Sequence, residues 1–405
     1  MRTRARMAPS RGKHMGTMTI DLSDERFERS VPYETFAYLR EHAPVWWWPE
    51  GSCWVVTTHE LVEQMNRDWP TFSSAGGIVP PGSTLNPSVL LAMDPPEHTK
   101  YRHLVIPSFM PRAIARLEAD VRTIADDAVA HYVAAGGGDF VPDIAAAIPF
   151  RVMADLTGVP RSAERQIMEW GHAIAPNSDQ EYRPTPTSMM DAQEGLSAFL
   201  GEQFAARRAN PGDELFSHLL HGTIDGSPLS EEDLRGYGVN YLLGGTETTR
   251  NLIGQAMRVL LENAGQMRRF VEGEVATATM IDELLRFVTP VLHHSRWVAA
   301  DVEVGGQQLA KGDRATLWMA SANRDPAVFD APEDLDVGRS PNPHVALGGG
   351  GPHFCLGSHL AKLEAVATFD ALRPVLERCS FAGEPQRVRS NFINGMKHLP
   401  LTVGG

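Results

Sequence analysis

Residues Asn342 to Glu364 read NPHVALGGGGPHFCLGSHLAKLE. Four glycines, Gly348 to Gly351, lead into Pro352, His353, Phe354, Cys355 and Gly357, and Ser358 to Leu363 suit the opening turns of a helix. A glycine-rich loop lets backbone approach something large and flat, because no Cβ stands in the way. A cysteine at the mouth of a helix feels its positive end, which favours thiolate over thiol. Backbone N–H groups of the same loop can then hydrogen-bond the sulfur. Thiolate, nearby histidine and glycine loop together describe an axial ligand for a haem iron.

Other readings compete. A lone cysteine is usually a small buried hydrophobe, and a glycine run is usually a flexible loop. A phosphate loop calls for Gly-Lys-Ser/Thr, whereas here Pro-His-Phe-Cys follows the glycines. Zinc calls for further Cys or His at short spacing, and Cys53 and Cys379 are isolated in the sequence. The run Gly351-Pro352-His353-Phe354-Cys355-Leu356-Gly357 fits G-x-H-x-C-x-G and resembles the haem-binding loop of the cytochrome P450 superfamily. Where that family usually has phenylalanine, seven residues before the cysteine, Gly348 stands, with Leu347 before it. The loop resembles an actinobacterial variant with an extra glycine, which leaves the packing over the sulfur, and with it the redox potential, open.

The second centre is a long helix expected from about Glu231 to Asn263, started by a capping-box pair, Ser230 and Asp233, with Gly265 beyond its end. Near its middle stands Gly244-Gly245-Thr246-Glu247-Thr248-Thr249-Arg250-Asn251. Glycine inside a helix costs about 1 kcal/mol relative to alanine, so the pair needs a reason: close packing, or room for a diatomic ligand. The stretch resembles the family's oxygen-binding groove. That resemblance gives Glu247 and Thr248 the roles of proton-relay acid and oxygen-holding alcohol.

Other stretches match in order. Asp94 is expected to cap a helix that Pro95 opens. On it His98 and Arg102, four apart, share a face suited to an anion; alone, such a pair is commonplace. The resemblance implies a haem propionate there, with Arg296 and His353 in the same duty. Glu283 and Arg286 form an i,i+3 pair that by itself is an ordinary surface feature. The family's Glu-x-x-Arg makes it structural, with Arg339 as third member. Helices are expected at Tyr33–His42, about His59–Asn66, Ala113–Ala134 and Phe150–Leu156, with two more between Glu164 and Arg208 interrupted by Pro184-Thr185-Pro186. A strand–turn–strand is expected over Val45–Thr57. The Gly/Pro/Ser-rich segment Pro70–Met93 is where the family builds a substrate lid. Ile78, Val79, Leu85, Leu90, Leu91, Val291, Leu292, Phe392, Ile393 and Met396 are the apolar pocket candidates.

With 405 residues, 42% hydrophobic and 21% charged, the composition is that of a globular protein. A net charge of −13 argues against nucleic acid as a partner. Three cysteines make no disulfide framework and point to a reducing, cytoplasmic setting. No apolar run approaches a membrane span. Residues 1–18, basic from Arg2 to Lys13, are expected to be a disordered leader, with Met15 and Met18 as alternative starts.

The reading is a mainly α cytochrome P450-like fold with a small β region, one domain over residues 19–405, holding haem b between the long helix and the Cys355 loop. It implies a monomeric haem-thiolate monooxygenase that uses O2 and draws electrons from a separate ferredoxin and ferredoxin reductase. Lys100, Arg112 and Lys362 are the candidate docking cations. Kinship of the loop and of Glu247–Asn251 points to hydroxylation of a methyl-branched lipid, isoprenoid or sterol side chain. Terpenoid or polyketide tailoring is the alternative, and a non-catalytic haem-thiolate or gas-sensing protein is a further one. A peroxide-driven hydroxylase, or a sensor, would not need the Glu247–Thr248 pair.

Overall fold

The computed structural model describes residues 20–79 and 90–405. The expected leader and Leu85 lie outside them. The longer helices are α1 (Tyr33–His42), α2 (His59–Arg67), α3 (Glu97–Phe109), α4 (Glu118–Ala134), α5 (Ala147–Thr157), α6 (Glu164–Ile174), α7 (Ser188–Ala209), α8 (Glu231–Val239), α9 (Gly245–Glu262), α10 (Thr277–Val288) and α11 (Ser358–Leu372). A five-stranded sheet is built from β1 (Val45–Trp48), β2 (Cys53–Val56), β3 (Phe72–Ser73), β4 (His294–Val298) and β5 (Arg314–Leu317), in the order β1-β2-β5-β4-β3. Only the β2–β5 pair is parallel, and it brings Val55 beside Thr316.

Helices and sheet are held by separate apolar clusters. The largest joins α4, α5, α9, α10 and α11 through residues such as Val121, Ile148, Ile253, Leu284 and Phe369. A second fills the sheet with Val56, Phe72, Leu317 and Val345. A third packs α1 against the sheet's other face through Phe36, Leu39, Val55 and Trp318.

Local rules account for most boundaries. The Ser230–Asp233 capping box forms as expected, with Asp233 N–H donating to Ser230 Oγ at 3.1 Å and Ser230 N–H to Asp233 Oδ2 at 2.9 Å. Gly158 ends α5 in the left-handed conformation, φ +80°. Pro184 and Pro186 fall between α6 and α7, where proline cannot continue a helix.

Two expectations need correction. The long helix is not one α-helix: α8 and α9 are joined by a wider, π-type turn over Asn240–Gly244. Threonines 246, 248 and 249 each turn their hydroxyl back to the carbonyl four residues earlier, an arrangement that bends helices. The rod ends at Glu262, and Gly265 belongs to the next short helix, Ala264–Val271. Nor does Asp94 cap α3. Its carboxylate instead accepts from Ser74 N–H at 2.8 Å and from the Ser73 hydroxyl, so it pins the end of β3.

Candidate active site

The cysteine loop is shaped by its glycines. Gly348 to Gly351 take φ of +101°, +60°, +90° and +76°, conformations that side chains other than glycine rarely adopt. A Cβ at Gly351 would stand 2.2 Å from the Asn66 carbonyl, so the loop lies flush on the end of α2. Cys355 N–H donates to the Leu347 carbonyl at 2.9 Å, which folds the loop over and sets the half-buried cysteine just before α11. Leu347 is thus used through its backbone, while its side chain packs on the main core. At Gly348 an added Cβ would meet the His353 carbonyl at 3.3 Å. Burial pushes the Cys355 thiol up, and the Gly357 backbone hydrogen bond and the Arg102 charge only oppose it. A thiolate here therefore calls for a positive ion facing it.

Beside the loop, buried donors converge. The rings of His98 (α3) and His353 lie 4.3 Å apart, centroid to centroid. Arg102, one turn beyond His98, donates Nη2 to the Phe354 carbonyl at 2.7 Å. From β4, Arg296 donates to Asn66 Oδ1 at 3.0 Å, and His294 Nε2 contacts the same oxygen at 2.8 Å. His98 is held down to about 4 by burial and then by Arg102, and His353 to about 3 by burial, Arg296 and His98. Burial draws even Arg296 down to about 10. His98 Nδ1, His353 Nε2 and Asn66 Nδ2 are buried without a hydrogen-bond partner among the described residues. A cluster of donors left short of acceptors is costly unless an anion completes it. His294 and Asn66 were not among the expected residues. Strand alternation places His294 on the Arg296 face and could have found it; nothing in the sequence marks Asn66.

The second group of site residues lies on the central rod, α8 and α9. Its two glycines answer different needs. A Cβ at Gly244 would meet nothing within 4 Å, whereas one at Gly245 would stand 2.9 Å from Met153 Sδ on α5. Gly244 is open and Gly245 is packed. Thr248 donates its hydroxyl to the Gly244 carbonyl at 2.7 Å. Glu247 is buried and divided between two partners. Oε2 receives Arg250 Nη2 at 2.8 Å, and Oε1 faces His172 Nε2 of α6 at 3.3 Å. Arg250 also donates to the Tyr182 hydroxyl at 3.3 Å. Burial alone would lower this guanidinium, but Glu247 and Tyr182 more than offset it. Sequence reasoning also missed Glu364 on α11. It is fully buried opposite Thr249, and burial drives its carboxyl far up. Its place amid the apolar run Ala365-Val366-Ala367 was the available signal.

The pair Glu283–Arg286 is no surface feature. Both are fully buried, with two Nη2/Nε–carboxylate bonds of 2.8 Å, and Arg339 Nε joins at 3.1 Å. Asn342 Nδ2 donates to the same carboxylate at 3.1 Å. Arg286 holds the Asn323 carbonyl at 2.8 Å, and Asn323 Oδ1 receives Val345 N–H at 2.8 Å. The knot thereby ties the start of the cysteine loop to α10.

The pocket candidates separate. Ile78 and Val79 run beside β4, their carbonyls accepting from Ser295 at 2.8 and 3.0 Å. Val291 bridges to Ile393. Leu90 is buried in the main core and Leu91 is 43% exposed. Leu292 is corrected: it points the opposite way from Val291, as alternation along an extended chain requires, and packs with Phe36 and Trp318. Phe392 meets the His293 ring edge-on at 5.4 Å, and Met396 lies in the core against Gly254. Among the docking cations, Lys100 is paired with Glu97 and Asp225, and Lys362 with Asp282 at 2.6 Å; Arg112 is exposed. No helix among the described residues is long and apolar enough to cross a membrane.

A family model described as Cytochrome P450 matches residues 275–400. The steroid C26-monooxygenase of Mycolicibacterium smegmatis is 33% identical over 393 residues, 93% of this chain and 91% of that protein. The linalool 8-monooxygenase of Pseudomonas putida is 32% identical, covering 93% and 97%. The methyl-branched lipid omega-hydroxylase of Mycobacterium bovis is 31% identical, covering 91% and 90%. A solved Mycobacterium marinum protein in complex with pseudoionone superposes with a TM-score of 0.91 at 33% identity, over 98% of this chain and 100% of that one.

Proposed function

The chain belongs to the cytochrome P450 family, and from that premise we propose that it hydroxylates the end of a methyl-branched, isoprenoid or sterol side chain. As a member it is a monooxygenase with a haem-iron cofactor, O2, redox partners and a hydrophobic substrate. The finer assignments are ours: haem b, one domain over residues 19–405, a monomer in the cytoplasm, and a separate ferredoxin with its reductase.

One observation carries the site reading. His98 Nδ1, His353 Nε2 and Asn66 Nδ2, buried without partners among the described residues, gather with Arg102 and Arg296 beside a glycine-lined cysteine loop, and the rod is open at Gly244. That set fits a flat cofactor whose acidic edge satisfies the donors and whose metal takes the Cys355 sulfur. Once bound, the haem supplies reductive activation of O2, and sulfur ligation favours O–O cleavage. The chain's own part is positioning and protons. Thr248 presents its hydroxyl toward the space at Gly244. Glu247, fixed through Oε2 by Arg250, is the acid side chain placed to pass on the protons that the reaction consumes. Glu283, Arg286 and Arg339 hold the loop in place, and Ile78, Val79, Val291 and Ile393 keep the pocket apolar. With Lys100 and Lys362 already paired, Arg112 is the cation left for an acidic ferredoxin.

The substrate class rests on what the relatives are named for: a steroid side chain, a methyl-branched lipid and linalool, all carrying branched aliphatic carbon. The ligand assignment is tested by the ferrous–CO spectrum. Wild type gives the red-shifted Soret band of thiolate ligation, and Cys355→His loses that band while retaining haem. An unshifted band in folded wild type would overturn it.

A further inference from the structure

We propose that His172 hands protons to Glu247, so that the acid is refilled from α6 rather than along the central rod. The inference rests on the reading of Glu247 given above. A Cβ at Gly171 would stand 3.1 Å from Leu243 and 3.5 Å from Glu247 Oε1, so α6 crosses the rod in close contact here. The next residue, His172, brings Nε2 to 3.3 Å from Oε1. Neither atom has a hydrogen-bond partner among the described residues. The 3.3 Å approach is not itself aligned as a hydrogen bond, so a small rotation of the ring is what brings the two atoms, which have nothing else to bond, into line to share a proton.

The two oxygens of Glu247 thus have different neighbours. Oε2 is held by a guanidinium that does not titrate, and Oε1 faces an imidazole that does. His172 is the better placed of the two to exchange with water, its side chain being 20% exposed against 9% for Glu247. The ring is stacked on Tyr182 at 4.2 Å and 14°, which fixes its plane. Tyr182 in turn is followed from the surface side by Glu181, held by Lys397 at 2.9 Å and by His398 at 2.7 Å. Burial keeps the imidazole neutral, at about 4, with Glu247, Glu169 and Glu181 raising it and Arg250 lowering it. A neutral ring can carry a proton without charging. As the N–H bond at Nε2 breaks and the O–H bond at Oε1 forms, the other ring nitrogen takes up one proton from bulk solvent, passed along water, so the net change is one solvent proton moved to the carboxylate. The imidazole ends neutral in its other tautomer, and Glu247 ends protonated.

The test compares wild type, His172→Phe, His172→Gln and Glu247→Gln as holoenzymes with substrate and a ferredoxin system. Phenylalanine keeps the stack on Tyr182 and removes both nitrogens; glutamine keeps a hydrogen-bonding tip that cannot relay. Both His172 variants are expected to form product at least about tenfold more slowly, short of the roughly hundredfold loss of a direct proton donor. Peroxide release and the solvent isotope effect rise, while substrate-binding and ferrous–CO spectra stay as in wild type. Independently of turnover, the His172 ring-nitrogen resonances of the diamagnetic ferrous–CO enzyme shift in Glu247→Gln. If Glu247→Gln diverts electrons to peroxide but both His172 variants keep wild-type coupling and isotope effect, the relay is wrong and the reading of Glu247 stands. If Glu247→Gln keeps wild-type coupling, that reading falls first. Should His172→Phe fail to bind haem, His172→Gln decides.

Discussion

Thr248 shows what a single hydroxyl can and cannot do here. Its hydroxyl donates to the Gly244 carbonyl at 2.7 Å, where the rod leaves the wider turn over Asn240–Gly244. Thr248→Ala is therefore expected to bind haem and substrate normally but to send most electrons to peroxide, measured as product and peroxide formed per reducing equivalent. Product yield unchanged from wild type would remove Thr248 from proton delivery. At this scale the sequence was informative where distant side chains had to meet: the Glu283–Arg286–Arg339 knot forms, and His98 comes against His353. It was silent on Asn66, whose role comes from its position at the end of α2, where three distant segments meet. Leu292 misled because an apolar residue next to a pocket residue looks the same in sequence whichever way it points.

Among the elements, the segment between α6 and α7 is fastened to the C-terminal strands. Lys397 bonds Asp179 at 3.1 Å, Arg183 caps the end of α6 through the Ala173 and Ala175 carbonyls, and His398 bridges Asp139 at 2.6 Å and Glu181 at 2.7 Å. Burial would lower His398, but the hydrogen bonds to Asp139 and Glu181 more than offset it, so its net shift is upward. A raised folded-state value means that protonation stabilises the folded form. The contribution is complete below the ordinary histidine value of about 6.5 and is lost as pH rises through the raised one. Hydrogen exchange of residues 175–187, corrected for intrinsic rates, is expected to quicken over that alkaline window, and His398→Gln to abolish the step. An equal step in the variant would place the titration elsewhere. Sequence periodicity found α6, α7 and the break between them because proline and apolar spacing are local signals. The fastening was illegible because its partners lie more than two hundred residues apart. The π-type turn was hidden for a related reason: glycine and threonine are compatible with several helical forms, and their neighbours decide which is adopted.

Over the whole molecule, one large apolar cluster holds the helices, the rod included, and takes Leu347 of the cysteine loop, while a second holds the sheet and takes Val345 at the start of that loop. The Val291–Ile393 bridge is apolar, whereas β4 and α3 contribute the buried polar side chains His294, Arg296 and His98. This division accounts for a substrate that is hydrophobic while the cofactor edge is acidic. Motif order along the chain was enough to give this plan. It carried less about the substrate, because pocket shape depends on which face of each segment turns inward. The most direct measurement is turnover of a methyl-branched fatty acid under 18O2 with a ferredoxin system, followed by mass spectrometry of the product. One labelled oxygen on a carbon at or next to the end of the branched chain is the expected result. No labelled product from branched chains, isoprenoids or sterol side chains, with labelled hydroxyl appearing on a rigid polycyclic metabolite, would contradict it.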